Sequence, residues 1–422
     1  MARTATVSRT SRATRSGGIA SWMSTEQPRI GTLGLLALMV LASVFGSVAS
    51  DMYAPALPEL PAVFGVGEAQ VNYTMTSFYV AYGIGFLLFG PMSDKVGRKP
   101  VLVGGSLAFA LGCVCCAIAP SIGLLVAARA VQALGAGAID TMCTALAKDC
   151  FREEYRERAL AIVQTMFVIS PIVGPLLGGV ILAVSSWHVI FLAQAAVGLA
   201  CLALSLLFAE SLRDEERTAD GLVRSLGHLV TVAKNPSFTF FLVVVSMVNL
   251  PFMAYISASA YIYVNEFGLT EQTYTHFFAA SAFVAAFGPS LSVAALKRMS
   301  GRSFTLVLLA GGAVLGIAML AVGFASPLAF WLVFALFALV EAALRPFAAN
   351  VLLMQQEGDS GSVSSLYNFT CTMVGVVGSA AIMAGWPSYV TGLGVLMAAS
   401  MGTVLVVFLA GLRRGVRVRG IE

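Results

Sequence analysis

The sequence predicts an all-α membrane protein of twelve transmembrane helices in two six-helix, pseudo-symmetric bundles. Three observations carry this. Of 422 residues, 58% are hydrophobic and only 11% charged, with a mean hydropathy of +0.88. A soluble domain carries about 25% charged residues and could not bury this much apolar surface. Long apolar runs recur without the alternation of a membrane barrel. The longest polar interval divides those runs six and six.

A helix needs roughly 20 apolar residues to cross a bilayer. Such runs lie near 32–54, 71–92, 100–119, 122–147, 158–183 and 187–209, then near 238–262, 274–296, 303–324, 328–354, 362–384 and 389–411. They define an N-terminal bundle over 31–209 and a C-terminal bundle over 238–412. Residues 1–30 carry Arg3, Arg9, Arg12, Arg15 and Arg29 against the single acid Glu26. They lack the apolar stretch of a secretory signal, and read as a disordered cytoplasmic tail. Residues 210–237 form a cytoplasmic linker. Leu222, Leu226, Leu229 and Val230 stand there at helical spacing, which predicts a helix on the membrane surface. Residues 413–422 form a second cytoplasmic tail.

Sidedness follows from the basic residues. Lys95, Arg98 and Lys99 follow the second run, and Lys148, Arg152, Arg156 and Arg158 the fourth. Arg213, Arg217, Arg224 and Lys234 lie in the linker, Lys297, Arg298 and Arg302 after the eighth run, and Arg413, Arg414, Arg417 and Arg419 at the C-terminus. The opposite links hold Glu59, Glu68, Glu266 and Glu271 with no Lys or Arg. Both termini are thus expected in the cytoplasm. The link "QQEGDSGS" breaks the rule, with no basic residue on its expected cytoplasmic side. The net charge of +4 reflects this sidedness and calls for no nucleic-acid partner.

Other classes find little support. No HExxH, no phosphate-binding lysine loop and no Ser/His pairing appears, and His188, His228 and His276 are far apart in the chain. The seven cysteines include "CVCC", Cys113 to Cys116, inside an apolar run. They read as small buried hydrophobes, with no metal site and no cofactor. The chain is expected not to be an enzyme.

Several motifs carry chemistry. "GPMSDKVGRKP", Gly90 to Pro100, is a tight basic turn with an acid, Asp94, that can cap or pair. It resembles the loop signature of the major facilitator superfamily. The resemblance implies a conformational latch of Gly90, Asp94, Gly97 and Arg98, with Asp149 of "AKDCFREE" placed to pair with Arg98. "ARAVQALGAGAID" puts Arg129 inside the fourth run. A mid-membrane arginine costs about 2.5–3.5 kcal/mol on insertion scales, so it should face a partner or water. The motif is similar to that superfamily's R-x-x-Q-G-x-G-A, in which the arginine serves proton coupling. Gln132, Gly135 and Ala136 match, and Ala133 stands where glycine is usual. "SPIVGPLLGG" resembles its antiporter motif at Gly174, Pro175, Gly178 and Gly179, with Ser170 in place of the first glycine. That motif implies export.

The stretch "SVASDMYAPALPEL" ends the first run with Asp51 and two helix breakers, Pro55 and Pro58. It resembles the D-M-Y-L-P-A-L-P signature of the Bcr/CflA-type drug:proton antiporters. "FMAYISASAYIYVNEFGLT" agrees with that subfamily, with Ala260 where proline is usual. An acid where a helix opens can load and release a proton as access alternates; the plainer reading is a helix end at the headgroups. Asp140 lies 11 residues after Arg129, hence on the same helix face, as a second acid or an internal partner. Glu341 and Arg345 are four apart and can pair along one face, or line a cavity. Tyr53, Tyr73, Tyr79, Tyr82, Tyr255 and Tyr261 offer stacking surfaces for a flat ligand.

The resemblance implies proton-coupled export of small amphipathic molecules, bicyclomycin- or phenicol-type drugs among them. Asp51, Arg129 and Asp140 are the coupling candidates, and Tyr53, Tyr79, Gln132, Tyr255, Glu341 and Arg345 the substrate-cavity candidates. The alternative is an exporter of an endogenous metabolite. The implied partners are a small-molecule substrate, protons and the lipid bilayer. The implied setting is a monomer spanning the bacterial inner membrane many times.

Overall fold

The computed structural model describes residues 22–25, 27–212, 215, 217, 222–356 and 360–421. Arg3, Arg9, Arg12, Arg15, Glu26 and Arg213 lie outside them, as do the side chains of Leu222, Arg224 and Leu226. The described residues are mostly helical. Its helices are α1 (Gly31–Asp51), α2 (Leu60–Phe64), α3 (Glu68–Val96), α4 (Arg98–Ala117), α5 (Ile122–Cys150), α6 (Glu153–Val184), α7 (Trp187–Leu207) and α8 (Leu222–Ala233). They continue as α9 (Pro236–Ser246), α10 (Asn249–Tyr261), α11 (Glu271–Ala285), α12 (Gly288–Leu296), α13 (Gly301–Val322), α14 (Pro327–Met354), α15 (Ser360–Ala381) and α16 (Tyr389–Arg413).

Among the described residues, ten stretches are long and apolar enough to cross a membrane. Two of the ten join two α-helices across a break. Pro236–Glu266 joins α9, α10 and a π-helical turn, Ile262–Glu266. The break precedes Pro251, which has no N–H for the carbonyl of Met247; the Leu250 amide takes that carbonyl instead, at 3.2 Å. Glu271–Leu296 breaks between α11 and α12, where Pro289 sits in the first turn of the new helix. The two other expected runs fall on α6, whose apolar part is Ile169–Val184, and on α15. Large apolar side chains such as Leu111, Val180, Val184, Val314, Ile317 and Val406 point outward and are exposed. So much apolar surface makes lipid the natural solvent.

Packing sorts the helices. α3 and α4 pack on α5, α4 on α7, and α1 on α5 and α6. Later in the chain, α13 packs on α16, α10 on α15 and α16, and α14 on α11 to α13. The two groups meet mainly where α3 lies on α15 and α6 on α11. α8 touches both groups, through α3 and α15. On α8, Leu229 is buried and Val230 is 55% exposed, so the expected apolar face is divided between protein and surroundings.

The segment before α1 is tied down where it is described. The Ser24 amide donates to the Cys150 carbonyl at 2.8 Å, and Gln27 exchanges two hydrogen bonds with the Ala209 backbone, at 3.0 and 2.8 Å. Trp22 stacks on Tyr155 at 5.5 Å. The sequence reading carries a free tail to residue 30; these bonds hold its last part against the end of α5 and the segment that follows α7.

Candidate functional site

Asp51 is the last residue of α1. A 3₁₀ turn (Ala54–Ala56) begun by Pro55 and the short α2, closed by Gly65 at φ 64°, carry the chain away. Asp51 is only 5% exposed, and its Oδ1 accepts from Ser50 Oγ at 2.9 Å. The cover comes from α6. A Cβ on Gly174 would lie 3.1 Å from the Asp51 Cβ, and one on Gly178 would run into the Met52 carbonyl. Gly174 and Gly178, one turn apart, therefore let α6 lie directly on the end of α1. Gly179 faces the other way, where a Cβ would meet Thr275 of α11 at 2.8 Å. Pro175, between them, leaves the carbonyl of Pro171 without its helical partner.

Arg129 of α5 is fully buried. Its Nη1 donates to the Ala49 carbonyl at 2.9 Å and to Gln132 Oε1 at 2.6 Å. Its guanidinium lies 4.7 Å from the Tyr53 ring centre and 4.3 Å from that of Phe78. Gln132 in turn donates to Gln194 Oε1 at 2.7 Å, and Gln194 donates to the Val48 carbonyl at 3.0 Å. Among the described residues Arg129 makes no ion pair. Its charge is held by carbonyl dipoles and aromatic faces next to the end of α1. Tyr53, fully buried, bonds Thr74 at 2.9 Å.

Asp140 lies three turns further along α5, 8% exposed. Tyr82 of α3 donates to its Oδ2, while Oδ1 has no hydrogen-bond partner among the described residues. Tyr82 fits because α1 carries glycine at 46, where a Cβ would strike the Tyr82 hydroxyl.

The turn between α3 and α4 is a single residue, Gly97, at φ 105° and ψ 160°. Only glycine takes that conformation readily. Arg98 pairs with Asp94 at 2.6 Å and with Asp149 of α5 at 2.9 Å, and donates to Ser93 Oγ at 2.6 Å. Glu210, just past α7, accepts from the Arg98 and Lys99 amides at 2.9 and 3.0 Å and so caps α4. A Cβ at 97 would collide with that carboxylate. Gly90 has open space beside it.

On α14, Arg345 donates from Nε and Nη2 to Glu341 Oε1, at 3.0 and 2.8 Å. The Arg345 side chain is 57% exposed in mid-helix, with Tyr367 and Cys371 of α15 in electrostatic range. It thus faces space beside α15. Tyr255 stacks on Phe334 at 3.4 Å inside an aromatic cluster with Phe278 and Phe330. No metal-binding cluster occurs among the described residues.

The structure brings Asp51, Tyr53, Tyr79, Arg129 and Gln132 to one region, with Asp140 below them. Glu341, Arg345 and Tyr255 belong to the later helix group. The sequence reading passes over Ser50, Gln194, Ser93 and Glu210. Gln194 had a signal, as the only strongly polar residue from Val189 to Leu204. Glu210 had none, since its target is over a hundred residues away.

The fold and this set of intramembrane charges define a multi-pass, all-helical membrane protein with polar groups enclosed between helices. The profile of the Major Facilitator Superfamily matches residues 39–380, and the chain belongs to that superfamily. It is 29% identical over 249 residues to an uncharacterized MFS-type transporter, YdgK, of Bacillus subtilis, covering 58% of this chain and 62% of that one. It is 36% identical over 175 residues to a chloramphenicol resistance protein of Pseudomonas aeruginosa, covering 40% and 41%. A bicyclomycin resistance protein homolog of Haemophilus influenzae is 27% identical over 248 residues, 58% of this chain and 61% of that one. The matched part thus spans between about two-fifths and three-fifths of these relatives' length. Among solved structures, a peptide transporter, POT, superposes with a TM-score of 0.72 at 14% identity, covering 90% of this chain and 94% of that one. The xylose transporter XylE of E. coli superposes with 0.69 at 12% identity, covering 92% and 98%. These two likenesses are of fold.

Proposed function

We propose that the chain exports small amphipathic molecules in exchange for protons, by alternating access between two six-helix bundles with twelve spans in all. In this reading α6 and α15 complete the set of spans. The α3–α15 and α6–α11 contacts then join spans 2 with 11 and 5 with 8, as a two-fold relation between halves requires. Both termini lie in the cytoplasm, and the protein acts as a monomer in the bacterial plasma membrane.

One observation carries the coupling. Arg129 is a fully buried cation without an ion pair among the described residues, bonded to the last turn of the helix that ends in Asp51. A charge so enclosed is costly and is kept where it serves a pathway. Here its hydrogen bond to Ala49 ties it to the turn that carries the acid. Gly174 and Gly178 of α6 cover Asp51 from its own half and Tyr274 of α11 faces it from the other, so movement of the halves changes its access. The open guanidinium edge of Arg345 supplies a polar wall for a substrate. The phenicol and bicyclomycin resistance of relatives supports these drugs as probes.

The test is ligand-induced proton release. Purified protein in weak buffer receives chloramphenicol or bicyclomycin while pH is recorded. Wild type should release protons, and Asp51→Asn should bind without releasing them. Release that persists in Asp51→Asn would remove that acid from the coupling.

A further inference from the structure

We propose that Arg345 seats an anionic head group, so that the small amphipathic molecules carried by this chain are organic acids, carboxylates first among them. This rests on the export reading and names its substrate class.

The placement follows from the faces of α14. Phe334, Ala338, Glu341 and Leu352 lie within about 40° of Arg345 round the helix, and all four are buried. Leu328, Leu332 and Leu336 lie about 100–180° away and are exposed, as lipid-facing residues should be. Arg345 therefore stands on the side that faces protein. Its side chain is exposed all the same, while its neighbours on that side are covered. The guanidinium opens into a space between helices and not into lipid.

That space is reached from the basic face. α3 and α15 are closed on each other from Asn72 and Ser379, at 2.8 Å, down to Gly83, where a Cβ would meet Met373 and Thr372 at 2.7 and 3.3 Å. Thr372 stands about 18 Å by helical rise from the start of α15 on the basic side, and Arg345 about 14 Å from the end of α14 on that side. Arg345 thus lies on the open side of the closed contacts. A ligand arriving from the basic side meets it first.

The bonding of the guanidinium selects the chemistry. Nε and Nη2 both donate to one oxygen, Glu341 Oε1, at 3.0 and 2.8 Å. Both N–H groups of Nη1 and one of Nη2 have no hydrogen-bond partner among the described residues. This free end carries two parallel N–H bonds, the fork that a carboxylate takes in bidentate fashion. No second carboxylate pairs with Arg345 among the described residues. Glu341 is buried behind it and is a positioning residue: it fixes the plane of the fork from the other edge. A cationic head group would meet the guanidinium before it met Glu341. An anion held at an exposed guanidinium keeps water on its far side and avoids the full cost of desolvation.

The experiment compares two probes of one shape, naphthoate and its neutral counterpart naphthamide, in equilibrium dialysis against the purified full-length protein at neutral pH. Wild type should bind naphthoate about tenfold or more tightly than naphthamide. Arg345→Gln should lose that preference through weaker naphthoate binding, with naphthamide unchanged. Glu341→Gln keeps an acceptor for the guanidinium and removes the negative charge behind it, so naphthoate should bind more tightly than to wild type. Equal binding of the two probes by wild type, or binding of neither, overturns the proposal, as does a preference that survives Arg345→Gln. Should Arg345→Gln not fold, Glu341→Gln decides alone: tighter naphthoate binding supports the site, and unchanged or weaker binding overturns it. Preferred naphthoate binding without ligand-induced proton release would leave this site standing and remove the proton coupling. Chloramphenicol-induced release with no naphthoate preference would remove this site alone, which separates the two failures.

Discussion

At Arg129 two opposed energies meet. Its guanidinium makes two short charge-assisted hydrogen bonds, each worth about 1.5–3 kcal/mol. Against them stands the effective cost of burying an ion, several kcal/mol. Its aromatic neighbours offset only part of that. Arg129→Met, similar in reach and uncharged, should therefore melt no lower than wild type in detergent while ligand-induced proton release is lost. A sharp fall in melting temperature would show that the charge serves the fold. Asp51 and Arg129 were both legible in the sequence as charges in apolar runs. Their separation was not, because an acid and a base in one region suggest an ion pair, and only the backbone carbonyls of α1 show what the arginine bonds instead.

Helix ends and breaks decide the next scale. α3 and α4 are joined by one residue, and the first amides of α4 have no partner within their own helix. Glu210 fills that role from beyond α7, and its carboxylate also accepts from the Ser211 and Leu212 amides at 3.0 and 3.1 Å. Glu210→Ala should cost about 1–2 kcal/mol, the worth of a good N-cap, read as a drop in thermal unfolding. Gly97→Ala combines a backbone conformation that costs about 1–3 kcal/mol for other residues with a collision at the same carboxylate. It should be the more damaging of the two, and a variant as stable as wild type would argue against the tight turn. The turn itself was legible from "GPMSDKVGRKP". The breaks in the spans containing Pro251 and Pro289 were not, because proline inside an apolar run marks a kink without saying where the chain rejoins its axis.

For the whole molecule, contacts between the two helix groups gather on the face whose links carry acids and no Lys or Arg. Glu68 accepts from Asn265 Nδ2 at 2.9 Å and from the Tyr389 hydroxyl. Asn72 donates to the Ser379 carbonyl at 2.8 Å, and Tyr261 donates to the Leu57 carbonyl at 3.2 Å. Gly179 against Thr275 closes the same side. The acidic face is shut here. Gly179→Leu should wedge it open. In a cysteine-free background, the disulfide yield between Glu68→Cys and Asn265→Cys should fall when that wedge is added. An unchanged yield would mean that the α6–α11 contact does not hold the closed state.

The sequence by itself determined the membrane as solvent, the helical class and the positions of most spans, because these depend on local hydropathy and spacing. It also marked the acids, the arginine and the glycine motifs as unusual, since each breaks a local rule. Which helices meet was decided only by the tertiary structure: Gly174 and Gly178 on α1 but Gly179 on α11, Tyr82 on Asp140, Glu210 on α4. Such partners lie tens to hundreds of residues apart in the chain. One helix face differs from the next by the angle at which a neighbour crosses it, and no local spacing encodes that angle.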